Sequence, residues 1–152
     1  MALIVNIITI TGPAEAVFDL VTTARYWPRW HPATLAVGGV TQRPFGLGDR
    51  IHERARFGDV VTRGTWEVVE HARPRRSVLR IDRPFVQIAY TFRPDGEATE
   101  LRRELEYEAG LAGAWPEPGE FDRLMREQSG EALGRLKGLV EAILDEEAAG
   151  LP

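Results

Sequence analysis

The sequence predicts an α+β domain: a first strand, two short helices, an antiparallel sheet of about seven strands in all, and one long C-terminal helix. Three observations predict it. The N-terminal run MALIVNIITIT is apolar and β-branched, the central region alternates with period two between frequent turn signals, and the C-terminal segment changes to helical period. At 152 residues the chain fits one domain, residues 1–152, with a sizeable core.

Leu3 to Thr11 reads as the first strand, with no basic region or small-residue cleavage site to mark a signal peptide and too few apolar residues to span a bilayer. A helix is expected from Pro13 to Ala24. Pro13 suits a first helical turn, Glu15 places negative charge near the N-terminus, and Val17, Phe18, Leu20 and Val21 form one apolar face. Tyr26 to His31 reads as a short helical turn, in which Pro28 and Pro32 restrict the backbone and keep Trp27 and Trp30 close together. Core packing alone does not require such a stiff aromatic segment. It suits a cavity entrance, with both indoles partly exposed.

The expected strands that follow are Leu35 to Val40, Asp49 to Phe57, Val60 to His71, Ser77 to Asp82, Val86 to Arg93 and Ala98 to Ala109. Turn signals separate them at Gly46 to Gly48, Gly58-Asp59, Arg73 to Arg76, Arg83-Pro84 and Pro94 to Gly96, and these close spacings favour antiparallel hairpins. Ala114 to Gly119 reads as the loop into the last helix, Glu120 to Glu147. Phe121, Met125, Ala132, Leu136, Leu139, Val140 and Ile143 share one face of that helix.

The chain has no cysteine, so it has neither disulfides nor a thiol nucleophile and suits the cytoplasm. Its net charge is -4, its one lysine is Lys137, and its arginines are scattered among acids, which argues against nucleic-acid binding. No two histidines have metal-ligand spacing, so no metal is expected. The serines are Ser77, expected in a turn, and Ser129 on the last helix, and neither sits in a nucleophile elbow. Gly46 and Gly48 precede a strand, whereas a phosphate loop should open a helix.

Alternation within the strands identifies the polar exceptions. Leu101, Arg103, Leu105 and Tyr107 share one face, as do Ile51, Glu53, Ala55 and Phe57, so Arg103 and Glu53 are the charges on otherwise apolar faces. They are expected close enough to pair directly or through water. An arginine buried without a partner costs several kcal/mol, which leaves two readings: a structural ion pair, or contact with a polar ligand group. Trp66 and Tyr90 face the same interior. His31 is either an acid or base at the cavity mouth or a histidine satisfied by a backbone carbonyl. His52 and His71 are expected to face outward. On the last helix Gly130, Gly134 and Gly138 fall opposite Leu133, Leu136 and Val140, as tolerated surface glycines or as a close contact in a homodimer.

The segments PAEAVFDLVTTARYWPRWHP, GLGDRIHERARFG, GTWEVVEHARPRR and TELRRELEYE, in this order before a long helix, resemble the START/Bet v1-like (SRPBCC) helix-grip superfamily, in its polyketide cyclase/dehydrase-like branch. The resemblance spans almost the whole chain. It implies a curved sheet wrapped around the last helix, with an apolar cavity between them entered near the short helices and hairpin loops. Trp27, Trp30, His31, Glu53, Phe57, Trp66, Tyr90, Arg103, Tyr107, Phe121 and Met125 are its expected ligand-binding residues. The resemblance implies no cofactor.

Three functions follow from it. The first is binding of an apolar or aromatic small molecule, lipid-like or polyketide-like. The second is an aromatase/cyclase-type enzyme in which His31, Glu53, Tyr90 or Arg103 assists proton transfer and enol stabilisation. The third is a chaperone-regulator or stress protein using the same fold as a protein-contact surface.

Overall fold

A computed structural model describes residues 1–108 and 117–150. The expected strand end at Ala109 and the first half of the expected loop from Ala114 to Gly119 lie outside the described residues. The elements are β1 (Ala2–Thr11), α1 (Ala14–Val21), a 3-10 turn (Ala24–Tyr26), α2 (Trp27–Trp30), β2 (Thr34–Gly39), β3 (Arg50–Phe57), β4 (Val60–Ala72), β5 (Arg76–Ile81), β6 (Val86–Asp95), β7 (Ala98–Tyr107) and α3 (Pro118–Ala148). The strands form one antiparallel sheet in the order β1-β7-β6-β5-β4-β3-β2, and α3 is gripped against it. This is the helix-grip α+β fold.

α1 ends earlier than its apolar periodicity suggests. The Thr22 and Thr23 hydroxyls donate back to the Phe18 and Asp19 carbonyls at 2.9 and 2.7 Å, so these two residues close the helix instead of extending it. Arg73, in the β4–β5 turn, holds both Asp19 carboxylate oxygens at 2.8 Å and ties α1 to that end of the sheet. Phe18 is fully buried between Phe92 and His71, with ring centroids 4.9 and 5.2 Å away.

That His71 contact corrects the expectation that it faces outward. The β4–β5 ladder slips between Val68 and Glu70, and the bulge reverses which residues of β4 look inward. Trp66 and Val68 are buried before it, and His71 turns inward after it. His52, on β3, does face out. Ser77 is likewise not in a turn: it is a fully buried residue of β5, paired between His71 and Tyr90.

On α3 the residues Phe121, Met125, Ser129, Ala132, Leu133, Leu136 and Val140 are buried, whereas Gly130, Gly134 and Gly138 are exposed. The helix also closes the β1 edge. Lys137 Nζ donates to the Thr9 carbonyl at 2.9 Å, and the Thr11 amide donates to Glu141 at 2.8 Å, which covers groups an edge strand would otherwise offer to another chain. Among the described residues no helix is long and apolar enough to cross a membrane.

Candidate functional site

Sheet, α2 and α3 line a partly open cavity of about 60 Å³, space for roughly four water-sized molecules. Ala55, Phe57, Trp66, Leu79, Val86, Ile88 and Leu105 make its apolar sheet wall, Met125, Gln128 and Ser129 its helix wall, and Trp27, Trp30 and His31 the end at α2. The expected residues Glu53, Tyr90 and Arg103 also line it. Tyr107 and Phe121 do not. Their rings meet each other edge to face at 5.7 Å, and the Tyr107 hydroxyl donates to Asp122. Burial, followed by that carboxylate, pushes the Tyr107 phenol well above its ordinary value.

Arg103 lies inside the protein at 1% exposure. Register explains its surroundings: Arg103 pairs with Tyr90 on one side and Asn6 on the other, so three polar side chains share one row across β6, β7 and β1. Arg103 Nη1 donates to Ser129 Oγ at 2.8 Å, Ser129 donates on to Asn6 Oδ1 at 2.6 Å, and Arg103 Nε reaches the Tyr90 hydroxyl at 3.4 Å.

The expected Arg103–Glu53 pair is absent. Glu53 lines the same cavity, but its carboxylate accepts from the Thr34 hydroxyl at 2.5 Å and from Trp66 Nε1 at 3.1 Å. The β2 bulge between Thr34 and Ala36 turns Thr34 inward to make that contact, so nearer donors satisfy Glu53. Arg103 makes no ion pair with any described carboxylate. The cavity therefore holds one positive and one negative group that do not touch.

The expectation of partly exposed indoles is also corrected, since Trp27 is 6% and Trp30 1% exposed. α2 is pressed between α3 and β2, and Trp27 stands edge-on to Phe45 at 6.1 Å, so the two prolines set an interior wall instead of a rim. Neither indole N–H finds an acceptor. Trp27 Nε1, Trp30 Nε1 and Gln128 Oε1 are the buried side-chain polar atoms without a partner among the described residues, and all three residues line the cavity.

His31 accepts the Ala33 amide at Nδ1, 3.3 Å, so it is held by a backbone N–H and not by a carbonyl. Burial, reinforced by the nearby Arg103 charge, lowers its pKa to about 3. It does not titrate near neutrality. With Nδ1 accepting from Ala33, Nε2–H is the donor left to the ring, and the lowered pKa favours the uncharged imidazole.

Sequence reasoning missed Ser129, Asn6, Thr34 and Gln128. The first two carried a usable signal: Ser129 follows Met125 by four residues on the apolar face of α3, and Asn6 interrupts the inward series Ile4, Ile8, Ile10. Thr34 depends on a bulge, which leaves no periodic trace. Among the described residues no group of three or more histidine, aspartate or glutamate side chains is placed to hold a metal ion.

Fold and cavity together define a helix-grip protein with a partly open, mainly apolar pocket between sheet and helix. A family model described as polyketide cyclase/dehydrase and lipid transport matches residues 1–141, and the chain belongs to that family. Similar solved structures include TTHA0849 from Thermus thermophilus, 19% identical over 93% of this chain and 99% of that one, with a TM-score of 0.76. The Zhui aromatase/cyclase from Streptomyces sp. R1128 is 17% identical over 92% and 93%, with a TM-score of 0.71. The di-domain aromatase/cyclase BexL of the BE-7585A biosynthetic pathway is 23% identical over 93% of this chain and 47% of that one, at 0.67. These likenesses are of fold. No curated protein matches the sequence.

Proposed function

We propose that the protein binds a compact apolar or aromatic small molecule between its sheet and α3. The cavity carries this reading, because five aromatic side chains, Trp27, Trp30, Phe57, Trp66 and Tyr90, line it beside Ala55, Leu79, Val86, Ile88 and Leu105. At about 60 Å³ it is smaller than the roughly 150 Å³ that takes up one benzene ring, so even a ligand of one or two rings enters only as the lining side chains give way. Ligand pockets commonly measure roughly 300–1,000 Å³, so a long polyketide or lipid chain enters only if α2 and α3 move apart.

Indole, a neutral two-ring probe, tests the reading by calorimetric titration. The wild type is expected to bind it and Ala55→Leu, which fills the cavity from β3, to bind none. Equal binding by both proteins places the probe elsewhere. No binding by the folded wild type at millimolar concentration removes the reading.

A second reading, an aromatase/cyclase-type enzyme, is favoured by one observation: the neutral His31 imidazole lies near Arg103, which is bonded to Tyr90. In that reading the Glu53 carboxylate accepts a proton from a carbon beside a carbonyl, while the His31 Nε2–H, Arg103 and Tyr90 hold the resulting enolate oxygen. Aromatic product from a poly-β-ketone surrogate, lost in His31→Asn with binding retained, is the expected result. Its absence from the wild type leaves the binding reading alone.

A further inference from the structure

Resting on the small-molecule reading, we propose that the ligand is a monoanion, an apolar or aromatic monocarboxylate whose carboxylate sits on Arg103. The argument is a count of donors and acceptors at the cavity.

A guanidinium carries five N–H donors in a planar fork. The Arg103 fork gives one hydrogen bond to Ser129 and one long one to Tyr90, and Nη2 gives none to any described residue. Both of its acceptors are neutral hydroxyls. A charge at 1% exposure, without a described carboxylate in ion-pair range, is left electrostatically incomplete. Trp27 and Trp30 add two buried N–H groups without acceptors. Against these donors stands one orphaned acceptor, Gln128 Oε1, because both Glu53 oxygens are already engaged. The lining is rich in unused donors, and its positive charge has no carboxylate in contact, since Glu53 is held by Thr34 and Trp66.

A carboxylate supplies what this arrangement lacks. Its two oxygens match the guanidinium fork, and a bidentate pair of this kind is among the strongest polar contacts a buried site makes. Ser129, fixed by its own bond to Asn6, and Tyr90 hold the fork from two sides, so it is oriented before the ligand arrives. Glu53, in the same cavity, repels a second negative charge. The site therefore selects one carboxylate on an apolar body and disfavours dicarboxylates.

3-Phenylpropanoate and its neutral isostere 3-phenylpropanamide distinguish the possibilities by calorimetry near neutral pH. The wild type is expected to bind the acid at least about tenfold more tightly than the amide, the lower end of what a charged hydrogen bond contributes. Arg103→Met is expected to bring that ratio to about one while still binding the amide. Phenylsuccinate is expected to bind the wild type more weakly than 3-phenylpropanoate. Equal affinity of the wild type for acid and amide, or tighter binding of the amide, overturns the anion assignment and leaves cavity binding intact. Failure of both probes at millimolar concentration overturns cavity binding itself, and the anion with it. Should Arg103→Met not fold, the wild-type ratio decides alone, and Ser129→Ala is expected to lower it.

Discussion

At the scale of single residues the buried arginine makes an unusual stability prediction. A buried charge without a carboxylate is retained against its own desolvation, and apolar replacements of buried ionic groups are often neutral or stabilising. Arg103→Met is therefore expected to unfold in urea within about 1 kcal/mol of the wild type or later, although it loses two hydrogen bonds. Unfolding several kcal/mol earlier would show that Arg103 is structural. His31 makes a pH prediction. Its folded pKa, about 3, lies below the ordinary 6.5, so between those values unfolded chains take up a proton that folded chains refuse. Stability is full above 6.5 and falls as pH drops through this window. His71, lowered mainly by burial, acts in the same direction. His31→Asn, whose side-chain oxygen still accepts from Ala33, is expected to lose less stability between pH 6.5 and 4.5 than the wild type. His31 imidazole NMR shifts, assigned as those missing from His31→Asn, that move in the folded protein near pH 6 would remove the assignment. Alternation made Arg103 and Glu53 legible as inward charges, because period two survives in β3 and β7. Their partners were not legible, since Thr34 reaches Glu53 only through a bulge.

At the scale of elements, α3 shows how far periodicity reaches. Its buried face and outward glycines both follow from 100° per residue, yet Ser129 on that face was read by its chemistry as a poor nucleophile and its position was overlooked. Nothing lies within 4 Å of a Cβ added at Gly134 or Gly138. Gly134→Ala and Gly138→Ala are each expected to stabilise the protein by about 0.5–1 kcal/mol, the helix-interior difference between the two residues. A homodimer packed through this stripe predicts the reverse, with weaker association in sedimentation. The turn between β1 and α1 behaves oppositely. Gly12 has φ of 144°, and a Cβ there would come within 2.5 Å of Leu144 Cδ1. Gly12→Ala is expected to lower stability by about 1–3 kcal/mol in thermal unfolding, because strain and contact act together. Helix ends were less legible than helices. The Val21 terminus depends on two threonine hydroxyls turning back, a choice that propensity leaves open.

At the scale of the whole molecule, strand order and the long helix were readable because each hairpin is local and each turn has its own signal. The interior position of α2 was not, since proline and tryptophan spacing constrains a backbone without saying which side meets solvent. The two indole N–H groups have no acceptor among the described residues, and unpaired buried groups cost about 1–3 kcal/mol each. An occupant that satisfies them adds its binding energy to the native state alone, about 2.7 kcal/mol at a hundred times its dissociation constant. The chain's lifetime in a cell is then coupled to its ligand. Unliganded copies open more often and meet proteases more often, so steady-state abundance rises with ligand supply even when synthesis is constant. On the proposed reading the cavity would serve as a built-in gauge, reporting a small acid through the amount of protein that survives.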